Sequence, residues 1–330
     1  PRAIWIPYIT DKTQLVSAEK PHLTFLLEGR LIWMKQAVFL GAATALITPM
    51  HSDGSVNLEE MKRLVEWQIE QGIDALVACG TTGECATLSR EEHLRVISCV
   101  VEQTNGGVPV IAGSGSNDTA FSVITSKEAA SIGADALMSV TPYYNKTTQE
   151  GLLRHFYTIA ESARLPLIVY NVPSRTGMDI SLETCKKLAE HPLIAGIKEA
   201  SGDMAKATRI IESCGEDLPV YSGNDDIAAP ILSMGGKGIV SVVSNLLPAE
   251  ITDLCRRGLH QDMAGCRAIQ LRLLRLIDAL FAQVNPIPFK KAMCFAGWEA
   301  GPCRLPLTEP SEQVKRLLWK EMKLLGMPML

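Results

Sequence analysis

The sequence predicts an α/β protein, a (β/α)8 TIM barrel with a C-terminal helical appendage, and three observations carry that reading. Short apolar runs rich in Val, Ile and Ala alternate with amphipathic stretches and start mostly about 20–35 residues apart, the spacing of a strand returned by a crossover helix. The runs are almost continuously apolar, as parallel strands covered on both faces require. There are about eight of them, and a barrel closes eight parallel strands without leaving edges. The alternative is an open doubly wound sheet, against which stands the absence of a dinucleotide fingerprint after the first strand.

Composition sets the outer bounds. At 330 residues the chain is long for one small domain and short for three, and a hydrophobic fraction of 47% suits a large core. Aromatics are only 5%, which disfavours base-stacking nucleic-acid modules. The formal charge, 32 − 36 = −4, carries no footprint for nucleic acid or an anionic membrane. No run approaches the roughly 20 apolar residues that cross a bilayer. A small-molecule ligand is the expectation. Nine cysteines form an odd, scattered set without C-x-x-C, and the six histidines show neither H-x-H nor H-E-x-x-H. This predicts reduced thiols in a cytoplasmic protein and no metal site.

In chain order, residues 1–33 stand apart from the βα rhythm, and their interleaved charges (Arg2, Asp11, Lys12, Glu19, Lys20, Glu28, Arg30) argue against a transit peptide. They are expected to be a non-native or upstream extension, with Met34 the natural start. The barrel is expected over residues 34–261, with strands at 42–47, 75–79, 109–112, 136–140, 167–170, 194–197, 220–222 and 238–242. Asn57-x-x-Glu60, Ser89-x-x-Glu92 and Thr147-x-x-Glu150 read as capping boxes that open the intervening helices. A faint repeat, Gly72-Ile-Asp-Ala-Leu76 and Gly133-Ala-Asp-Ala-Leu137, reads as a helix-ending Gly followed by strand entry. After residue 259 the strands cease. Residues 263–281, 289–295 and 312–325 read as helices of a small domain over residues 262–330.

In such a barrel the active site lies at the C-terminal ends of the strands. The run Leu193-Ile-Ala-Gly-Ile-Lys-Glu199 ends an apolar strand with Lys198. A strand-end lysine either snorkels to solvent or, held in a dry barrel mouth, loses its proton and attacks a carbonyl as a Schiff-base nucleophile. One lysine does not decide between them. Tyr170 closes another strand, either as a core-edge ring or as a phenol able to shuttle a proton. Gly80-Thr-Thr-Gly-Glu84 follows the second strand, either as a plain turn or as a nest of donors for a carboxylate. Tyr143-Tyr144 end the fourth strand and suit an interface as well as a site. Arg175, just beyond Tyr170, suits a second carboxylate.

Gly-Thr-Thr-Gly-Glu at 80–84, Tyr-Tyr-Asn at 143–145, Tyr-Asn-Val-Pro-Ser-Arg-Thr-Gly at 170–177 and Gly-Ile-Lys-Glu-Ala-Ser at 196–201 together form a specific constellation. With it, the chain resembles the dihydrodipicolinate synthase/N-acetylneuraminate lyase family of class I aldolases. The likeness runs from about residue 39 to near the C-terminus and includes Asn285-Pro-Ile-Pro288. The resemblance implies that Lys198 forms an imine with pyruvate and that Thr81, Tyr170 and Tyr144 relay protons, Tyr144 from a partner subunit. It further implies that Thr82 holds the pyruvate carboxylate, Arg175 receives the carboxylate of L-aspartate 4-semialdehyde, and a backbone carbonyl at Val240 lines the site. The implied enzyme is a lyase of the diaminopimelate/lysine pathway. It needs no metal or external cofactor and works as a tetramer of tight dimers, with no nucleic-acid or membrane partner. Pyruvate-dependent lyases for N-acetylneuraminate or sugar acids, and a catalytically silent keto-acid-binding homologue, are the competing readings; Arg175 separates the first from the expected enzyme.

Lysine-inhibited relatives bind the end product in a pocket at the dimer seam, and Ala86, His93, Asn117 and Tyr143 match it. Arg90 stands where such relatives often have His, and Phe121 where they have Glu. A phenyl ring in place of a buried carboxylate removes the counter-charge an ammonium needs, so weak or absent lysine inhibition is expected.

Overall fold

The computed structural model describes residues 13–19, 22–27, 30–35 and 37–330, in two units taken separately. In the first, β1 (Thr13–Glu19), β2 (His22–Leu27) and β3 (Arg30–Lys35) form an antiparallel sheet in that order. Of the extension expected at 1–33, residues 1–12, 20, 21, 28 and 29 lie outside the described residues, and the expected start, Met34, falls inside β3.

The second unit, Val38–Leu330, is the barrel with its C-terminal helices. Its strands are β4 (Gly41–Ala45), β5 (Ala75–Ala78), β6 (Val110–Gly113), β7 (Ala136–Val140), β8 (Leu167–Asn171), β9 (Ile194–Glu199), β10 (Val220–Ser222) and β11 (Gly238–Ser241). They pair in parallel in chain order, and β11 closes on β4 through Val240 opposite Ala43. Nearly every strand residue is buried, which is why the runs lack alternation.

The helices are α1 (Leu58–Glu70), α2 (Arg90–Thr104), α3 (Thr119–Ile132), α4 (Gln149–Ala163), the single turn α5 (Pro173–Thr176), α6 (Leu182–Glu190), α7 (Met204–Cys214), α8 (Ala228–Ser233) and α9 (Pro248–Leu259). Beyond the barrel come α10 (Met263–Leu280), α11 (Ile287–Phe295) and α12 (Glu312–Leu324). The helix α10 packs on α8 and α9, and α12 covers α10 and α11. No helix among the described residues is long and apolar enough to cross a membrane.

The repeat has a physical meaning that periodicity alone does not show. Asp74 accepts the N–H of Ala42 at 2.8 Å and Asp135 that of Val110 at 3.0 Å, so each satisfies an N–H at the start of the neighbouring strand. Gly41 must be glycine beside it: its φ is +113°, and a Cβ would lie 2.1 Å from the Asp74 carboxylate.

The capping boxes divide. Ser89 and Glu92 bond reciprocally, at 3.2 and 2.8 Å. Asn57 caps the Glu60 N–H at 3.1 Å, but the Glu60 carboxylate turns to Arg63 and to the N–H of Glu299. The box at Thr147 is corrected. Thr148 is the cap, accepting from the N–H of Gly151 at 3.1 Å, while Glu150 pairs with Arg154. The residue three beyond Thr148 is a glycine, so no side chain can return the bond.

Candidate active site

Strands β8 and β9 place Tyr170 directly opposite Lys198, so both side chains share one face. Lys198 is 4% exposed, with its Nζ 4.1 Å from the centroid of the Tyr170 ring. Burial lowers its pKa from 10.5 to about 8; Asp225 opposes the drop and Arg175 adds to it. Alternation sends Glu199 the other way, where its carboxylate accepts from Asn171 Nδ2 at 2.9 Å and from the N–H of Ser201 at 2.6 Å.

Burial also raises the Tyr170 phenol to about 12, against the pull of Arg175 and a hydrogen bond from Thr81. Burial outweighs both and keeps Tyr170 protonated near neutral pH, which suits a group that hands protons on.

The turn after β5 is tight. The N–H groups of Gly83 and Glu84 bond to the carbonyls of Gly80 and Thr81, both at 3.1 Å. An anion contact from this turn therefore falls to the backbone and hydroxyls of Thr81 and Thr82. Thr82 is buried, and its hydroxyl accepts from Asn285 Nδ2 at 3.0 Å.

These groups meet in a cavity of about 210 Å³, whose wall includes Thr81, Thr82, Tyr170, Arg175, Lys198 and Asn285. A second cavity of about 270 Å³ shares Thr81, Arg175 and Asn285 with it and adds Ala86 and Tyr143. A larger one, about 620 Å³, lies between α1, α9, α10 and residues 325–328 and holds none of the strand-end groups. The chemistry, not the volume, marks the site.

Not every expected residue reaches the cavity. Tyr144 is 91% exposed at a left-handed φ of 68°. Val240, expected to offer its backbone carbonyl, is wholly buried in β11, and Val242, just after that strand, is among the residues lining the cavity. Of the seam residues, His93 Nε2 bonds to the carbonyl of Gly113 at 2.8 Å, and burial lowers its pKa. Arg90 pairs with Glu128 across α2 and α3, Asn145 Nδ2 donates to the Asn117 carbonyl at 2.9 Å, and Phe121 is 43% exposed.

Two residues escaped the sequence reading. Asp225, just after β10, is 2% exposed, and burial raises its pKa to about 6, against hydrogen bonds from Ser241, Val242 and Val243 and the charge of Lys198. Its place just beyond a strand end was the available signal. Asn285 donates from its side-chain amide to Thr82, and its backbone carbonyl accepts from Arg175 Nη2 at 3.2 Å; the Asn-Pro-Ile-Pro segment was the available signal.

A family model, the dihydrodipicolinate synthetase family, matches residues 38–324. The chain belongs to this family. The 4-hydroxy-tetrahydrodipicolinate synthase of Acetivibrio thermocellus is 49% identical over 294 residues, covering 89% of this chain and all of that one. A crystal structure of dihydrodipicolinate synthase from Acinetobacter baumannii, complexed with pyruvate, is 42% identical with a TM-score of 0.86 and covers 88% and 99% of the two chains. A monomeric dihydrodipicolinate synthase variant, 38% identical, also gives a TM-score of 0.86, over 88% and 98%. Membership in the dihydrodipicolinate synthetase family agrees with the expected (β/α)8 barrel and makes the chain a lyase.

Proposed function

We propose that the chain is a 4-hydroxy-tetrahydrodipicolinate synthase that condenses pyruvate with L-aspartate 4-semialdehyde through an imine on Lys198. The observation that carries this is the buried Lys198 ammonium, its pKa drawn down to about 8, over the face of Tyr170. The neutral amine attacks the pyruvate ketone, and water leaves to give the imine. Loss of a methyl proton gives an enamine, whose carbon bonds to the aldehyde carbon of the second substrate. That substrate's amine then attacks the imine carbon, closes the ring and releases Lys198.

Tyr170 and Thr81 carry protons between these steps, Thr82 holds the pyruvate carboxylate, and Arg175 receives that of the semialdehyde. The partner subunit's Tyr144 completes the relay, so the working form is a homo-oligomer, a tetramer of tight dimers. The exposure of Tyr144 in its own chain supports this reading. The reaction needs no metal or external cofactor, and the enzyme works in the cytoplasm.

Borohydride reduction with pyruvate, followed by peptide mapping, tests the proposal. The label should fall on Lys198, and activity should appear with aspartate semialdehyde but not with N-acetylneuraminate. Folded protein left unlabelled would overturn it.

A further inference from the structure

Two buried charges lie beside the site and have no part in the chemistry above. Lys290, on α11, is 1% exposed, and Glu84, closing the turn at 80–84, is 4% exposed. Lys290 Nζ meets Glu84 Oε1 at 2.9 Å and donates to the carbonyls of Thr48 at 3.2 Å and Pro302 at 2.6 Å. The other Glu84 oxygen accepts the N–H of Arg304 at 2.8 Å. The three ammonium donors thus have three acceptors.

Such a pair contributes little net stability over an apolar pair, because desolvating both ions offsets their attraction. What it supplies is direction, since a buried ion tolerates few arrangements that satisfy it. Its neighbours make that direction matter. Glu84 holds a left-handed φ of 54° two residues after Thr82. Thr48 also donates its hydroxyl to the Gly83 carbonyl at 2.7 Å. In the same C-terminal segment, Asn285 holds Thr82 from one side and Arg175 from the other.

We propose that Lys290 and Glu84 are positioning residues for the keto-acid site: their ion pair fixes the Thr81–Thr82 turn relative to Lys198, which makes α11 a working part of the active site. This rests on the reading of Lys198 as the imine-forming residue. Misplacing a binding group by on the order of 1 Å costs about 10²-fold in the reactions it orients.

The test uses full-length protein and the double variant Glu84→Gln/Lys290→Met, which removes both charges together. Each protein is titrated with pyruvate, reduced with borohydride, and the Lys198 peptide quantified, with the unfolding midpoint measured alongside. The double variant should label to the same plateau as wild type, with half-saturating pyruvate raised about tenfold or more, and kcat at saturation should fall as well because Thr81 moves with the turn. Glu84→Gln alone, which leaves the Lys290 ammonium buried without its counter-charge, should raise half-saturating pyruvate at least as far. Unchanged half-saturation in the folded double variant overturns the inference, whatever its unfolding midpoint, because the pair would then be only a structural tie. Should the double variant not fold, the single variant decides by the same criterion. A wild type that takes no label sinks the imine reading and this inference with it, so the two failures are told apart.

Discussion

An amine that attacks a carbonyl must be uncharged, and the surroundings of Lys198 set how often it is. With a pKa drawn down to about 8, the neutral fraction rises about tenfold per pH unit below that value and levels off above it. Borohydride trapping should follow the same curve. Tyr170 stays protonated over this range, and Arg175 and Asp225 are the charges that act on the amine. Asp225 holds the proton on, so Asp225→Asn should move the curve to lower pH; a curve that stays in place would show that this carboxylate does not act on Lys198. Arg175→Ala should still allow trapping on Lys198, with its pH curve moved to higher pH, and should lower kcat/KM for the semialdehyde by about 10²-fold, the loss of a charge-assisted contact of about 3 kcal/mol. Wild-type kcat/KM in that variant would reassign the carboxylate. Phe121 offers no charge to a bound ammonium, so lysine at physiological concentration should leave the rate unchanged. Half-inhibition there would show that the pocket finds its counter-charge elsewhere.

At the scale of elements, the start of α4 separates pattern from geometry. Thr148→Ala should destabilise the protein by about 1 kcal/mol in denaturant unfolding, the usual cost of a lost N-cap. Thr147→Ala should stay within about 0.5 kcal/mol; a reversed order would restore the box at Thr147. The strands were legible because burial on both faces leaves a continuous apolar run. Their ends were not, because distant groups set them. The first barrel strand, β4, stops at Ala45 where Asn245 steps in, donating to the Ala45 carbonyl at 2.8 Å and accepting the N–H of Ile47 at 3.0 Å. The candidate site divides in the same way. Lys198, Tyr170 and Thr81 follow from the strand-end rule. Asp225 obeys that rule but sits in Gly-Asn-Asp-Asp, which reads as an ordinary turn. Lys290 lies 206 residues from Glu84, on a helix to which no strand rule applies. Only closure of the barrel brings them together.

The whole molecule poses the question of where Tyr144 acts. Its ring faces solvent in its own chain, so a relay that includes it needs a second copy to supply it. Mixing two defective proteins decides the point. Lys198→Ala lacks the amine but keeps Tyr144, and Tyr144→Phe keeps the amine but lacks the phenol; each alone should be nearly inactive. In an equal mixture reassembled at random, half of the dimers carry one chain of each kind. One of the two sites in such a dimer then has neither group. The other has an intact Lys198 facing the partner subunit's Tyr144. Activity should return to about a quarter of wild type, as symmetric exchange of one residue across a two-fold interface requires. If Tyr144 served its own chain, every site in the mixture would lack one group or the other and no activity would return.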